Sequence, residues 1–222
     1  MRVATYNIKH GALKGREAIE AVLRRIGADL VGLQEVDVGV RRSGGVDQAR
    51  HFAAALGLES AFGPAFPHGG GLYGVALLSR WPVRVAEAIP LPAVGEPRVL
   101  LVTELAHPEG PLTAAVTHFG LDPGERIRQA EVVAARLAGI DRLILVGDFN
   151  ASHSEASLAP LRARLVDAAV ALGRAPLRTY PSDAPTIGID HVLLGPGMPP
   201  PRRVEAIPAD ASDHLPVVVD LG

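Results

Sequence analysis

The sequence predicts an α/β fold in which two β-sheets are covered by helices. The apolar run of residues 143–146 ends abruptly at Gly147 and Asp148, which is typical of a strand buried on both faces. Near the amino terminus, a strand, a helix and a second strand follow one another within about 30 residues, the length of a parallel crossover unit. Between residues 75 and 117, short β-type runs alternate with Pro, Gly and charged residues, as in antiparallel hairpins.

The first predicted elements are a strand over residues 3–8, a helix that ends at Gly27 and a strand over residues 29–35. The helix is indicated by four apolar residues spaced i, i+3, i+4 and i+7, which lie on one helical face: Ile19, Val22, Leu23 and Ile26. Asn7 lies near the carboxyl end of the first predicted strand, and Glu35 ends the second.

The remaining elements follow from the same two periodicities. Further helices are predicted over residues 46–56, 125–138 and 155–165, and further strands over residues 75–78, 83–89, 99–104, 112–117, 189–194 and 216–221. The segment around Pro199, Pro200 and Pro201 is predicted to be a loop. No change in composition divides the chain, so a single domain over residues 1–222 is expected.

Composition excludes several classes of function. The chain of 222 residues is 48% hydrophobic, which is enough for a sizeable core, and its formal net charge of -2 provides no overall attraction to polyanions. The absence of cysteine excludes disulfides, thiolate metal sites and a cysteine nucleophile. No apolar stretch is long enough to span a membrane, and no secretory signal pattern is present, so we expect a cytoplasmic, monomeric protein without membrane insertion.

Polar residues recur at the carboxyl ends of the predicted strands, with one pair just before the last strand. They are Asn7, Glu35, His118, Asp148, Asn150, Asp190 with His191, and Asp213 with His214 just before the last strand. Because parallel strands present their carboxyl ends to a shared crevice, these groups are expected to converge on one site. Each also has an ordinary explanation as a turn former, a helix cap or a solvated loop residue, and only their repeated placement favours a common site.

The residue types in this set indicate phosphoryl chemistry. Carboxylates, amides and histidines without cysteine suit Mg²⁺ or Mn²⁺, which neutralise phosphate oxygens while a base activates water. A Ser-His-Asp hydrolase is the rival interpretation, but no serine lies in a Gly-x-Ser-x-Gly turn. The chain also lacks a Walker-type phosphate-binding loop.

The ordered set of motifs resembles the endonuclease/exonuclease/phosphatase superfamily, which includes enzymes similar to deoxyribonuclease I and exonuclease III. The matching segments are Thr5-Tyr6-Asn7-Ile8, Leu33-Gln34-Glu35-Val36, Ala76-Leu77-Leu78-Ser79-Arg80-Trp81-Pro82, Thr117-His118, Gly147-Asp148-Phe149-Asn150, Ile189-Asp190-His191 and Ser212-Asp213-His214-Leu215-Pro216. Each segment alone is weakly specific, whereas the ordered set spans residues 3–219.

The resemblance implies a four-layer α/β sandwich with two central mixed β-sheets flanked by helices. It also implies a phosphoesterase that depends on Mg²⁺ or Mn²⁺ and hydrolyses a phosphodiester by in-line attack of water. Under this resemblance, Glu35 is the principal metal ligand, helped by Asn7 and by Asp213 directly or through water.

The catalytic roles also come from the resemblance. Asp148 positions or deprotonates the attacking water, and Asn150 binds that water or a phosphate oxygen. His214, oriented by Asp190, lies beside the scissile phosphate, and His118 donates to a phosphate oxygen. The resemblance leaves the general base open between Asp148 and His214, with Asp148 preferred.

Two arginines are second-tier candidates for substrate binding because a guanidinium group binds phosphate in a bidentate manner. They are Arg42, in the polar loop of residues 41–45, and Arg126, in the first turn of a predicted helix whose charged face has an ordinary solvated explanation. His10, Asp37 and His191 are near the site in sequence only and are left outside it.

The sequence does not select one substrate. Nucleic acid, DNA or RNA, is the first-choice class, and a lipid headgroup, an inositol phosphate or another small phosphoester is the alternative. A noncatalytic binding module on the same fold is the third possibility, against which the complete set of site residues argues. Specificity in such folds comes from loops, and the chain has no long basic arm for duplex DNA.

Overall fold

The computed structural model describes residues 1–222 and contains two six-stranded β-sheets. The strands are β1 (Arg2–Asn7), β2 (Leu30–Val38), β3 (Glu59–His68), β4 (Gly71–Ser79), β5 (Val83–Leu91), β6 (Arg98–Leu105), β7 (Leu112–His118), β8 (Leu143–Asp148), β9 (Val166–Asp167), β10 (Asp190–Leu194), β11 (Pro201–Ala206) and β12 (Val217–Leu221). The helices are α1 (Arg16–Ile26), α2 (Gln48–Leu56), α3 (Pro123–Arg136), α4 (Ala159–Arg162) and α5 (Ala168–Ala171), with short 3₁₀ turns at Lys9–Gly11, Arg41–Ser43 and Ala156–Leu158.

Both sheets are mixed. The first has the strand order β11-β12-β1-β2-β4-β3, and the second has the order β5-β6-β7-β8-β10-β9. Each sheet contains one parallel pair, β1 with β2 and β7 with β8, while the other neighbouring strands are antiparallel. The helices α1 and α3 make the two parallel crossovers, which confirms the crossover predicted near the amino terminus.

Three apolar clusters hold the layers together. Residues such as Val116, Ile144 and Val146 fill the space between the two sheets. A second cluster joins α1 and α2 to the outer face of the first sheet. A third cluster joins α3 and α4 to the outer face of the second sheet. The observed order is helices, sheet, sheet and helices, which confirms the predicted four-layer α/β sandwich.

Gly32 permits a close approach between the sheets. A Cβ atom at this position of β2 would lie 2.2 Å from the Cγ2 atom of Val146 and 3.2 Å from both methyl groups of Val116. These contacts leave no room for a side chain, because protein interiors are packed to near-crystalline density. The two central strands β2 and β8 are thereby kept close at the level of the site.

The structure differs from the sequence-based prediction in three elements. Strand β3 was not predicted because it contains Pro64 and Pro67, and β11 begins at Pro201, within the segment expected to be a loop. Both strands lie at an edge of their sheet, where a missing backbone donor is tolerated. The helix predicted over residues 155–165 is instead a 3₁₀ turn followed by the four-residue α4.

None of the helices combines the length and apolar character needed to cross a membrane.

Candidate active site

The predicted polar residues gather at one edge of both sheets. Asn7, His118 and Asp148 are the last residues of β1, β7 and β8. Asp190 opens β10 rather than ending it, contrary to the expectation from sequence. Because β10 runs antiparallel to β8, its first residue reaches the edge at which β8 ends.

Three of these residues form a row across the second sheet. Asp148 is the direct cross-strand partner of His118 on one side and of Asp190 on the other. Direct partners project from the same face of a sheet, so the register alone brings the three side chains together. The Nε2 atom of His118 lies 3.4 Å from Oδ2 of Asp148.

The first sheet supplies the loop that carries Asp213 and His214. This loop directly precedes β12, which is antiparallel to β1 and therefore starts near the end of β1. The hydroxyl of Ser212 donates to the backbone oxygen of Asn7 at 2.7 Å. This bond fixes the loop against the end of β1 and places His214 opposite the second sheet.

Asn7 links the two sheets at the site. Its Nδ2 atom donates to Oε1 of Glu35 at 3.0 Å and to Oδ2 of Asp148 at 3.1 Å. Its Oδ1 atom accepts the backbone N–H of Lys9 at 3.0 Å. The Asn7 amide thus holds a carboxylate from each sheet, and its oxygen retains one lone pair for a further contact.

Glu35 is presented by an irregularity in β2. The pairing of β2 with β4 changes register between Leu33 and Val36, and the backbone of Glu35 has a φ angle of 58°. A left-handed conformation in a non-glycine residue is strained and occurs preferentially at functional sites. Next to it, the side chain of Gln34 points inward and donates to the Thr5 hydroxyl at 3.1 Å.

The Glu35 carboxylate is ionised and lacks a lysine or arginine partner. Burial alone would raise the pKa of Glu35, but the nearby His10, His118 and Asn7 outweigh burial and hold its pKa at about 2. No lysine or arginine forms an ion pair with it, and Nδ1 of His10 lies 3.9 Å from its Oε2 atom. Its negative charge is therefore available to a cation.

Asp148 is almost fully buried and surrounded by donors. Its Oδ1 atom accepts the backbone N–H of Asn150 at 3.0 Å, and its Oδ2 atom faces Asn7 and His118. Burial and the charge of Asp190 raise the pKa of Asp148 to about 6, against the opposing effect of the His214 charge. At neutral pH the carboxylate is mostly ionised and can still accept a proton.

The imidazole of His214 lies between two carboxylates. Its Nδ1 atom is 2.9 Å from Oδ2 of Asp190, and its Nε2 atom is 3.6 Å from Oδ2 of Asp148. Burial lowers the pKa of His214, but Asp190, Asp148 and Asp213 outweigh burial and raise it to about 9. His214 is therefore a cation at neutral pH, with both ring nitrogens acting as donors.

The side chain of Asp190 has a second donor that sequence analysis did not identify. The hydroxyl of Thr179 donates to Oδ2 of Asp190 at 2.5 Å, the same oxygen that faces His214. Tyr180 packs on the other side of the imidazole, with ring centroids 4.8 Å apart. Both residues belong to a loop without regular secondary structure, so no periodic signal could have identified them.

His118 has a different partner from His214. The Nη1 atom of Arg98, the first residue of β6, lies 3.1 Å from Nδ1 of His118. Burial and the Arg98 charge lower the pKa of His118 to about 3, so this imidazole is neutral. Arg98 was not among the predicted site residues, and its only sequence signal is a charge directly before an apolar strand.

Asn150 has a strained backbone beside Asp148. Its φ angle is 49°, and its Nδ2 atom donates to the backbone oxygen of Phe119 at 2.9 Å. This bond connects the loops after β7 and β8. One hydrogen of the amide and its oxygen are left for other partners.

Lys9 is a second basic residue that the sequence analysis did not place in the site. Its ammonium group donates to Oδ2 of Asp213 at 2.7 Å, and its backbone φ angle is 43°. The hydrogen bond with Asp213 raises the pKa of Lys9 against the effect of burial, and the charge of Glu35 adds to this. Its position two residues after Asn7 is the one signal that could have identified it.

The two candidate substrate-binding arginines are both engaged within the protein. Arg42 binds Asp37 through Nε and Nη2, each at 2.9 Å, and lies over the ring of Tyr73. Arg126 is buried, with Nη2 at 2.6 Å from Glu155 and Nη1 at 2.6 Å from the backbone oxygen of Leu121. These contacts give Arg126 a structural role between α3 and the loop after β8.

The oxygen donors near Glu35 fit a hard divalent cation. Glu35, Asn7 and Asp213 offer carboxylate and amide oxygens, which Mg²⁺ and Mn²⁺ prefer. The observation that supports this fit is the Glu35 carboxylate, which is half-buried and ionised without a lysine or arginine partner. Asp213 differs, because one of its oxygens already accepts a bond from Lys9.

A second set of possible ligands lies beside the first. Asp148, Asp190 and His214 each place one ligand-type atom within 4.8 Å of the others, so the cluster could hold a metal ion. The Nδ1 atom of His214 is occupied by the hydrogen bond with Asp190, however, and a metal ion at Nε2 would have to displace the proton of the imidazolium. Glu35 is therefore the stronger candidate for the primary ligand.

One family model matches nearly the whole chain. The model of the Endonuclease/Exonuclease/phosphatase family matches residues 4–214. This range contains every predicted site residue from Asn7 to His214. A sequence comparison with curated proteins finds no match.

Several solved structures have the same fold. A mannosyl-6-phosphatase from Bacteroides thetaiotaomicron superposes with a TM-score of 0.80 at 18% identity, covering 100% of this chain and 99% of that chain. The catalytic domain of human Nocturnin with a bound sulfate anion has a TM-score of 0.79 at 23% identity, covering 100% of this chain and 93% of that one. D. rerio TDP2 with a single-stranded DNA product has a TM-score of 0.76 at 17% identity, covering 99% and 97%.

Proposed function

Because the chain belongs to the endonuclease/exonuclease/phosphatase family, we propose that it hydrolyses a phosphodiester. The proposed reaction uses water and a divalent cation, Mg²⁺ or Mn²⁺. The observation that carries the proposal is the grouping around Asp148. A protonated imidazole, a neutral imidazole and an amide all face its Oδ2 atom, at 3.6, 3.4 and 3.1 Å. This arrangement combines a proton acceptor with several donors, as hydrolysis of a phosphate ester requires.

Asp148 is proposed as the group that orients the attacking water and accepts its proton. Its carboxylate is held by the backbone of Asn150 and by the side chain of Asn7, so its direction is fixed. The water oxygen forms a bond to phosphorus while the bond to the leaving oxygen on the opposite side breaks. His214 is unsuited to this role because its pKa of about 9 leaves it protonated at neutral pH.

His214 is proposed to bind a phosphate oxygen with its Nε2–H group. The hydrogen bond of Nδ1 with Asp190 orients the ring and stabilises its positive charge. His118 and Asn150 are proposed as further donors, since His118 ends β7 beside Asp148 and the backbone N–H of Asn150 donates to Asp148. Fixed donors of this kind stabilise the charge that develops on the phosphate oxygens.

The cation is proposed to be held by Glu35, with Asn7 and Asp213 contributing directly or through water. When bound, it neutralises charge on the phosphate and acts as a Lewis acid. Asn7 would then contact the cation through its oxygen while its Nδ2 group keeps Glu35 and Asp148 in place.

Nucleic acid is the proposed first-choice substrate class, and a small phosphoester is the second candidate. One structural observation favours the second. Three basic residues near the site, Lys9, Arg42 and Arg98, are each paired with a carboxylate, from Asp213, Asp37 and Glu96. Paired cations attract a polyanion less than free ones do. The similar structures include both a mannosyl-6-phosphatase and a complex with single-stranded DNA product.

The first experiment measures hydrolysis of bis-p-nitrophenyl phosphate with Mg²⁺ and with Mn²⁺. We expect turnover that EDTA abolishes and that His214→Ala removes. A variant of His107, a half-buried histidine just after β6 at the end of this strand opposite Arg98, should retain turnover when changed to alanine. Absence of turnover by the wild-type protein on any phosphoester would favour the noncatalytic binding module.

A substrate panel then separates the two candidate classes. Single-stranded DNA, abasic duplex, RNA, nucleotides, inositol phosphates and sphingomyelin would each be tested with both cations. A kcat/KM that is highest for a polynucleotide and falls steeply with salt supports a nuclease. A higher kcat/KM for a small phosphoester, with little dependence on salt, supports the second candidate.

A further inference from the structure

The contact between Arg98 and His118 determines which nitrogen of His118 carries the proton. A guanidinium group has only N–H donors and keeps its charge at all ordinary pH values. The Nη1 atom of Arg98 is 3.1 Å from Nδ1 of His118, so that nitrogen must accept. In a neutral imidazole the single proton then lies on Nε2.

The protonated nitrogen faces the centre of the site. Nε2 of His118 is 3.4 Å from Oδ2 of Asp148, on the opposite side of the ring from Arg98. A second proton on Nδ1 would bring an N–H group of the ring against an N–H group of the positively charged Arg98 guanidinium. The ring can therefore donate a hydrogen bond toward the site but cannot supply a cation there.

The position of Arg98 is itself restrained. Its side chain is 9% exposed, and Nη1 lies 2.9 Å from a carboxylate oxygen of Glu96. The neighbouring backbone oxygen of Val99 accepts the hydroxyl of Thr117 at 3.1 Å. This bond joins β6 to β7 one residue away from both Arg98 and His118, so the two side chains approach each other from fixed backbones.

The two imidazoles of the site are thus set in opposite states by their Nδ1 partners. A carboxylate, Asp190, faces Nδ1 of His214 and favours a proton there. A guanidinium, Arg98, faces Nδ1 of His118 and excludes one. We propose that Arg98 is a positioning residue that holds His118 as the neutral Nε2-protonated tautomer, so that His118 serves as a fixed donor to a substrate oxygen. The last step rests on the proposed phosphoesterase function.

The tautomer is tested directly by nitrogen-15 NMR of the imidazole groups in the cation-free protein. His118 of the wild type is expected to show a protonated Nε2 and an unprotonated Nδ1 across the neutral pH range. Arg98→Lys retains a charged donor and should keep this pattern. Arg98→Met removes the donor, and the His118 signals should then move toward a mixture of tautomers or toward the imidazolium form.

Two control variants separate the contact from general effects of charge. Glu96→Gln keeps the guanidinium beside His118 and should leave the tautomer unchanged. Arg84→Met removes an exposed arginine of β5 and should also leave it unchanged. A wild-type His118 protonated on Nδ1, or an Arg98→Met protein with unaltered His118 signals, would overturn the proposal.

Kinetics tests whether Arg98 acts through His118. Arg98→Met should lower kcat/KM by about 10- to 100-fold, the range seen when an outer partner of an active-site ligand is lost. In a His118→Gln background the same change should have little further effect, because the imidazole is already absent. Equal losses in both backgrounds would contradict the positioning role. A protein that shows the expected tautomer but no hydrolysis would disprove the proposed phosphoesterase function while leaving the tautomer assignment intact.

Discussion

Asp148 and Asp190 are direct partners across β8 and β10, and the imidazole of His214 reaches both of their carboxylates. The distances are unequal, 3.6 Å to Asp148 and 2.9 Å to Asp190. Asp190 is therefore the orienting partner of the imidazole, and Asp148 remains the carboxylate that faces the interior of the site. Because the two carboxylates contact the imidazole at different distances, replacement of Asp148 and replacement of Asp190 are expected to have different effects.

Replacement of Asp148 by asparagine should lower kcat by about 10²- to 10⁴-fold, because the amide cannot accept a proton from water. Steady-state kinetics with bis-p-nitrophenyl phosphate measures the effect, and circular dichroism verifies that the fold is retained. Asp183→Asn, which changes an exposed aspartate, should leave kcat unchanged. Near-wild-type turnover by Asp148→Asn would exclude Asp148 as the base.

The dependence of kcat/KM on pH should be bell-shaped. Asp148 accepts a proton only above its pKa of about 6, so the rate rises with pH through that value. His214 donates only below its pKa of about 9, so the rate falls again as pH increases through that region. A bound cation favours the ionised carboxylate and moves the acidic limb below about 6.

A variant of Asp190 tests the assignment of the basic limb. Asp190→Asn removes the nearest negative charge from His214, so the pKa of His214 should fall and the basic limb should move to lower pH. The acidic limb should not move to higher pH, since the charge of Asp190 also raises the pKa of Asp148. A basic limb that is unaffected by Asp190→Asn would assign that limb to another group.

Removal of the Glu35 charge should abolish stabilisation by the cation. A ligand that binds the folded state stabilises it by about 2.7 kcal/mol when its free concentration is 100 times Kd. Added Mn²⁺ should therefore raise the melting temperature of the wild type but not that of Glu35→Gln. Glu17→Gln, a change at an exposed glutamate of α1, should respond like the wild type. An equal rise in all three proteins would show that the cation binds elsewhere.

A side chain at position 32 should disrupt the packing between the sheets. Gly32→Ala places its Cβ atom 2.2 Å from Cγ2 of Val146, and overpacking of this kind costs about 1–3 kcal/mol of unfolding free energy. Gly95→Ala is the matched control, because no atom lies within 4 Å of the added methyl group. Urea denaturation of both variants measures the difference. Equal unfolding free energies of the two variants would mean that the two sheets can move apart at Gly32 at little cost.

The prediction of the fold from sequence succeeded where a local pattern is strong. The apolar spacing of α1 and the glycine that ends it were sufficient to place that helix, and Gly27 has the expected left-handed φ angle of 58°. Strands β3 and β11 were missed because their prolines are tolerated only at a sheet edge, and edge position is a property of the assembled sheet.

The predicted site residues that end a strand lie close together in the structure. Asn7, His118 and Asp148 were identifiable because each follows an apolar run, and the structure brings all three to one edge. Lys9 and Arg98 were not identified, although each contacts a predicted residue. Their partners, Asp213 and His118, lie far along the chain, and no periodicity connects them.

The sequence alone therefore determined the layered α/β class, the family resemblance and the carboxylates, amides and histidines of the candidate site. Only the tertiary structure decided the state of each group. Asp190 is the partner that favours a charged His214, Arg98 is the partner that keeps His118 neutral, and no lysine or arginine pairs with Glu35. The physical reason is that strand and helix patterns depend on neighbouring residues, whereas protonation depends on burial and on charges brought close by folding.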